Sequence, residues 1–425
     1  MHSMTAHLNI DELIKAEPIQ PTLGLKKLMW LCVFIGLVAL TYGVVVLPPK
    51  QFWGSYYTNL FFWTGISCGM VILCAIFQIV RAEWTPPLRR IAESGVSFLP
   101  FAYIGFWFSY LGKDYLFFWG TQPMPGREFW FQPELVYGRI GLALAFLFFM
   151  MWRFVKMSVR ADVGTIREKA AEIDRWHNSQ YDNLIGEWKG SAVESIETQR
   201  RLSWNAPLLI LIYAVAYSLF AFDMLMAMDP MWFSNMFGGY VFLANIYTGL
   251  AMIALTAMYL ASRHREYAKV LTGQQMWDLG KMTFGFCMLW GYTFFCQFLP
   301  QWYGNLPEET QWMILRTREM PWQGLGWIVF GMCFILPFVM LLSRDVKRTP
   351  RAYSTVAVII LVGIWLEKYL IIAPQLYPTT IPLGLFDVGL TLGFLGCFVL
   401  CVHSFLARYP YVPVGSPLSR GSKEW

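Results

Sequence analysis

Ten stretches of this chain run apolar for about 20 residues, the length an α-helix needs to cross the hydrocarbon core of a bilayer. They lie at residues 27–47, 58–80, 95–112, 135–157, 205–228, 237–261, 282–303, 322–342, 354–372 and 385–407. A spanning segment must satisfy its backbone groups internally, which leaves only helices and closed barrels. Apolar runs this long, without alternation, specify helices. The expected fold is an all-α polytopic membrane protein with about ten transmembrane helices. Composition agrees: 56% of residues are hydrophobic, 18% aromatic and 14% charged, against about 25% charged in soluble domains. That balance excludes an ordinary soluble domain and a disordered or collagen-like chain. The formal charge of +6 invites a nucleic-acid reading. The basic residues lie between apolar runs, however, where they set membrane orientation, and no nucleic-acid partner is expected.

With the N-terminus in the cytoplasm, 26 Lys and Arg fall on the inner side and five on the outer side, with Arg139 and Lys368 inside the membrane. This positive-inside bias puts both termini in the cytoplasm; residues 1–26 are polar with no small-residue cleavage site, so the first span is expected to be retained. The domains are then a tail at 1–26, a membrane domain at 27–407 and a tail at 408–425. Two loops are long. In the inner loop, 158–204, Val163, Ile166, Ala170, Ile173 and Trp176 recur at helical spacing among charged residues, reading as a helix on the membrane surface or against a partner subunit. The outer loop, 112–134, carries Tyr115, Phe117, Phe118, Trp119, Phe129, Trp130 and Phe131. Such rings sit at headgroup level or cover the underside of a partner. Gly65 with Gly69, and Gly389 with Gly393, form G-x-x-x-G pairs that let helices approach closely, within one chain as readily as between chains.

All eight cysteines lie in apolar runs, with no C-x-x-C and no four-cysteine cluster spacing. Of five histidines only His403 falls in an apolar run, so it reads as a hydrogen-bonded core residue. Bis-histidine haem, covalent haem and iron–sulfur ligation all need more than this. The chain is expected to carry no covalent cofactor and no electrons of its own.

Ionisable groups inside spans are costly and call for a function or a partner. Here they concentrate in the outer half: Tyr137 and Arg139 on span four, Asp223 on span five, Gln297 and Gln301 on span seven, Glu367 and Lys368 on span nine, and Asp387 on span ten. Charges of both signs at similar depth can neutralise one another, for example Arg139 with Asp223 or Lys368 with Asp387. Two readings follow. In one, they are ion pairs that hold two helix bundles in register. In the other, Asp223, Arg139, Glu367, Lys368 and Asp387 form a proton path, while Gln297, Gln301, Tyr303 and Tyr137 orient a quinone.

Particular segments carry a resemblance. Ser203-Trp204-Asn205-Ala206-Pro207 opens span five, which runs through Phe222-Asp223 to Met228-Asp229-Pro230-Met231-Trp232-Phe233-Ser234. Span seven ends in Gln297-Phe298-Leu299-Pro300-Gln301-Trp302-Tyr303-Gly304-Asn305-Leu306-Pro307-Glu308-Glu309. These resemble the smaller of the two quinone-binding membrane subunits of bacterial alternative complex III, in the NrfD-like family of polysulfide reductase membrane subunits. The resemblance covers all ten spans, and its specific part is Trp302-Tyr303-x-Asn305-Leu306-Pro307-Glu308-Glu309. It implies two four-helix bundles plus two peripheral helices in a bacterial cytoplasmic membrane. It also implies a respiratory complex that oxidises menaquinol or ubiquinol and reduces cytochrome c or a terminal oxidase. Haems and iron–sulfur clusters would then sit on partners: a paralogous quinol-binding membrane subunit, an iron–sulfur subunit, and multihaem and monohaem cytochrome c subunits. Quinone and lipids are the ligands implied for this chain, with proton translocation as a role. One departure is Met231, where the family pattern has histidine; methionine cannot titrate. The competing classes are a stand-alone secondary transporter or channel, and a passive anchor for redox subunits. A transporter calls for matched helix breaks in its two halves, which Pro100, Pro300 and Pro337 do not form.

Overall fold

The computed structural model describes residues 18–20, 22–124, 126–169, 176–177 and 179–415. Ten of its helices are long and apolar enough to span a bilayer: α1 (Leu23–Val46), α2 (Pro49–Ile79), α3 (Pro86–Leu116), α4 (Pro133–Lys169), α5 (Ser191–Met224), α6 (Phe237–Arg263), α7 (Gly273–Gly304), α8 (Trp322–Leu342), α9 (Pro350–Leu376) and α10 (Leu385–Arg408). No strand occurs among the described residues. The protein is an all-α, multi-pass membrane protein.

Helices α2 to α5 form one bundle and α6 to α9 a second. The bundles meet where α2 packs on α6 and α9, and α5 on α6; α10 and α1 pair with each other, and α10 also lies on α2 and α3. The outer pairing is a glycine contact, because a Cβ on Gly36 would strike the backbone of Gly393. A Cβ on Gly69 or Gly249 would likewise strike the facing backbone between α2 and α6. Both G-x-x-x-G pairs therefore serve packing within the chain. Helix α2 is the central strut, buried along 89% of its apolar stretch, against 22% for α1.

Loops gather at two ends. At the basic end, Tyr267 donates to the Pro87 carbonyl (2.9 Å), Tyr181 to that of Arg408 (2.6 Å) and Arg90 to that of Pro410 (2.8 Å). At the opposite end, Gln51 donates to the Pro382 carbonyl (3.0 Å) and Trp322 to that of Tyr377 (3.0 Å). All ten expected spans are present, but several begin earlier than hydropathy places them. Helix α2 starts at Pro49 rather than 58, α3 at Pro86 rather than 95, and α7 at Gly273 rather than 282. Polar first turns hide these starts from a hydropathy window. A Thr272–Gln275 capping box and prolines at the first helical positions mark them instead.

The inner loop is not one surface helix. Helix α4 runs on through Val163 and Ile166 to Lys169, and α5 already begins at Ser191. At 37 residues α4 is about 55 Å long, so its end projects well past a ~30 Å core. Trp176 is buried; Ala170 and Ile173 lie outside the described residues. The outer loop folds inward in part: Phe117 stacks on Trp119 (4.4 Å between centroids) and both are buried with Phe131, while Phe129 and Trp130 stay exposed.

Two of the prolines inside spans are met by substitute donors, since a helix proline leaves the carbonyl four residues back without its N–H. Pro374 strands the Leu370 carbonyl, and Arg316 Nε donates to it at 2.9 Å. Pro337 strands the Cys333 carbonyl within a π-helical turn at Gly331–Ile335, and the Tyr247 hydroxyl donates to it at 3.2 Å. Neighbouring helices thus repair each break.

Candidate functional site

The outer-half polar residues fall into separate clusters joined by one stretch of α2. In the first, Arg139 of α4 and Asp223 of α5 pair as their matching depth suggests, Nε to Oδ2 at 2.8 Å. Trp130 Nε1 donates to the other Asp223 oxygen (3.1 Å) and its ring stacks under the guanidinium at 3.9 Å. Arg139 Nη1 donates to the Trp130 carbonyl (2.6 Å). Both carboxylate oxygens of Asp223 are occupied, which ties the aromatic loop to the first bundle.

The second cluster lies on α9. Lys368 pairs with its neighbour Glu367 (2.9 Å), not with Asp387. Adjacent helical residues point about 100° apart, so this contact is off the line of a hydrogen bond. The ammonium and both Glu367 oxygens have no hydrogen-bond partner in the protein, and both side chains are almost fully buried. The Lys368 ammonium faces the rings of Phe61 (5.0 Å) and Tyr240 (6.0 Å). Most buried polar groups are hydrogen-bonded, and an exception of this kind calls for a water, an ion or a catalytic role.

In the third cluster Asp387 caps α10. One oxygen accepts from the Gly384 N–H at 2.8 Å and the other from the Ser55 hydroxyl. An acidic residue at N3 suits the positive helix start. The stretch Ser55–Phe61 of α2 touches every cluster: Ser55 reaches Asp387, the Tyr57 hydroxyl donates to the Met224 carbonyl beside Asp223 (2.8 Å), Asn59 accepts from Trp365 (3.1 Å), and Phe61 faces Lys368. Hydropathy starts span two only at residue 58, which leaves Ser55 and Tyr57 outside the membrane.

The expected quinone set does not assemble. Tyr137 is buried in the first bundle, 3.2 Å from Ser109 and among Phe106, Tyr110 and Trp119. Gln297 and Gln301 are buried on α7 in the second bundle, and Gln301 has no hydrogen-bond partner in the protein. Tyr303 is 84% exposed at the end of α7.

What the structure offers instead is a groove of about 660 Å³ between α1, α2, α6, α9 and α10. Its walls are apolar side chains such as Met29, Phe62, Leu361 and Leu395, with Asp387 near one end and His403 near the other. Those two residues are 16 positions apart on α10, so the groove follows that helix for about 24 Å. His403 belongs to this wall rather than to a hydrogen-bonded core: its ring meets Tyr259 edge-on at 6.3 Å and its Nδ1 has no partner.

Two further charged sites escaped the sequence pattern. At the basic end Arg89, Arg90, Glu93 and Asp162 are buried together, although the arginines read as loop charges. Their i,i+3 and i,i+4 spacing to Glu93 was the available signal. At the opposite end Arg316, on the short helix Pro307–Thr317, also donates to the Trp312 and Ile371 carbonyls, both at 2.9 Å. Burial pushes its guanidinium down to about 9, against the pull of Asp229. Asp229 in turn accepts from Gln375 (3.0 Å) and from the backbone N–H of Met231 (3.0 Å). Met231 itself is exposed.

No protein-family model matches the chain, and no curated protein matches it.

Proposed function

We propose that this protein is an integral subunit of a quinol-oxidising respiratory complex in a bacterial cytoplasmic membrane, passing electrons toward cytochrome c or a terminal oxidase. The observation that carries this reading is the apolar groove with a buried carboxylate near one end. A long, narrow, lipid-accessible groove suits an isoprenoid tail, and Asp387 can accept from a quinol hydroxyl while keeping its bonds to Ser55 and Gly384, since a carboxylate has about four lone-pair sites. The quinone residues proposed are thus Asp387 and Trp365 with the groove wall, in place of Gln297, Gln301, Tyr303 and Tyr137. Redox cofactors belong to partner subunits in this reading, and the isolated chain is inactive. Quinol oxidation releases two protons, and Glu367 is the titratable group proposed to take part: it is buried and paired with Lys368 at 2.9 Å, off the line of a hydrogen bond. Asp223 is fully engaged by Arg139 and Trp130, which favours a structural role for that pair.

The test is a photoreactive quinone in native membranes together with the variant Asp387→Asn, which keeps the shape of the cap. The label is expected on groove residues of α9 and α10. The variant complex should assemble while its KM for quinol rises about tenfold, the weight of one charged hydrogen bond. Labelling confined to α7 near Gln297 and Gln301 would overturn the assignment.

A further inference from the structure

At the basic end of α7 and α8 three cations crowd around one indole, with a fourth beside them. Trp277 of α7 carries the Lys281 ammonium 4.3 Å from its ring centroid, with the guanidinium carbons of Arg344 at 5.1 Å and Arg348 at 5.2 Å. Lys347, beside them on the short helix Arg344–Arg348, is nine-tenths buried. Its stem lies over Gly280, where a Cβ would come within 2.6 Å of the Lys347 Cγ. Glycine there lets the lysine lie flat against α7 and fixes its position.

Carboxylates do not balance this cluster. Asp278 pairs with Lys281 at 2.7 Å, while Asp345 points to solvent as an exposed side chain. Lys347 has no carboxylate within 4.0 Å among the described residues, and the Arg348 Nε is buried with no hydrogen-bond partner. Burial and the nearby Lys281 both lower the affinity of Lys347 for its proton. Like charges are held together here by packing, and an anion would relieve them.

The cluster also sits at the top of a membrane-facing apolar strip. Leu342 and Val339 of α8 are each 59% exposed, and Phe284 stacks on Phe338 at 5.6 Å directly below Lys347, whose ammonium is 5.9 Å from the Phe284 ring. A free anion has no use for that strip; an acyl chain does. We infer that Trp277, Lys281, Arg344, Lys347 and Arg348 form a binding site for the phosphate of an anionic phospholipid, with its acyl chains on the α7–α8 surface. Clusters of this kind between helices favour anionic headgroups.

The experiment uses the full-length protein in detergent, with native mass spectrometry and thermal unfolding as readouts. Dioleoylphosphatidylglycerol, dioleoylphosphatidylcholine and inorganic phosphate are added separately at matched concentration. Phosphatidylglycerol is expected to remain bound one-to-one and to raise the melting temperature, with the other two ineffective. The double variant Arg344→Gln/Arg348→Gln should melt normally in phosphatidylcholine and bind phosphatidylglycerol on the order of thirty-fold more weakly. Should that variant fail to fold, added salt serves the same purpose on the unaltered protein, where rising ionic strength should strip the phosphatidylglycerol adduct. Equal retention of both lipids, or salt-insensitive retention, overturns the site. Equal stabilisation by inorganic phosphate assigns it to free phosphate and overturns the lipid reading.

Discussion

Replacing Arg90 with methionine is expected to cost roughly 3–5 kcal/mol, because it removes one partner from a buried charge network. Arg90 is completely buried and bonds to both Glu93 and Asp162, while Arg89 holds Glu93 at 3.2 Å and Gln78 at 3.0 Å. Two cations balance two carboxylates, and the substitution would leave one negative charge stranded. The same guanidinium holds the Pro410 carbonyl, and Asp162 accepts from the Gly415 N–H at 2.7 Å. The network therefore clamps the segment after α10 onto α3 and α4. The expected outcome is a steep fall in folded protein recovered from membranes and a lower melting temperature in detergent. Arg201→Met is the control: its 2.5 Å pair with Glu197 is exposed, and exposed pairs are worth about 1 kcal/mol or less. Equal melting temperatures for the two variants would contradict the clamp.

The second large effect concerns Glu367. If it transfers protons during quinol oxidation, Glu367→Gln should assemble but lose about 10²–10⁴-fold in turnover, the usual contribution of a positioned acid or base. The substitution also strands the Lys368 ammonium, which lowers the yield of assembled complex. The double variant Glu367→Gln/Lys368→Met restores charge neutrality and separates the two effects. A pair that only pins helices predicts recovery of both assembly and turnover in the double variant. Proton work predicts recovered assembly with turnover still lost. Turnover at the unaltered level in an assembled Glu367→Gln complex would remove Glu367 from the mechanism.

The ten spans were legible because each is a long, predominantly apolar run, and hydropathy needs nothing beyond the local sequence. The pairing of Arg139 with Asp223 was legible from depth, since helices of known direction place charges at comparable levels. Rotation about each helix axis was not. Lys368 pairs with Glu367 rather than Asp387, and Asp387 turns to Ser55, because the angular position of α9 and α10 is set by packing on α2. Gln297 and Tyr137 sit at similar depth but in different bundles, so depth alone joined residues that packing separates. The groove was invisible for the same reason: its wall is assembled from five helices, and no local pattern announces a gap between them. Arg316 read as a loop cation, yet it repairs the backbone at Pro374. Pro374 lies just past the apolar run ending at 372, and the continuation of α9 to Leu376 makes it a break that needs a donor from elsewhere.

Whether this chain works inside a quinol-oxidising complex is tested most directly by isolating the tagged protein in mild detergent from its native membrane. Haem and iron content are then measured together with quinol-dependent reduction of cytochrome c. Haem and iron–sulfur proteins are expected to copurify in stoichiometric amounts, with quinol-dependent reduction retained. A chain that purifies alone, without haem, iron or quinol-oxidising activity, would contradict the proposed function.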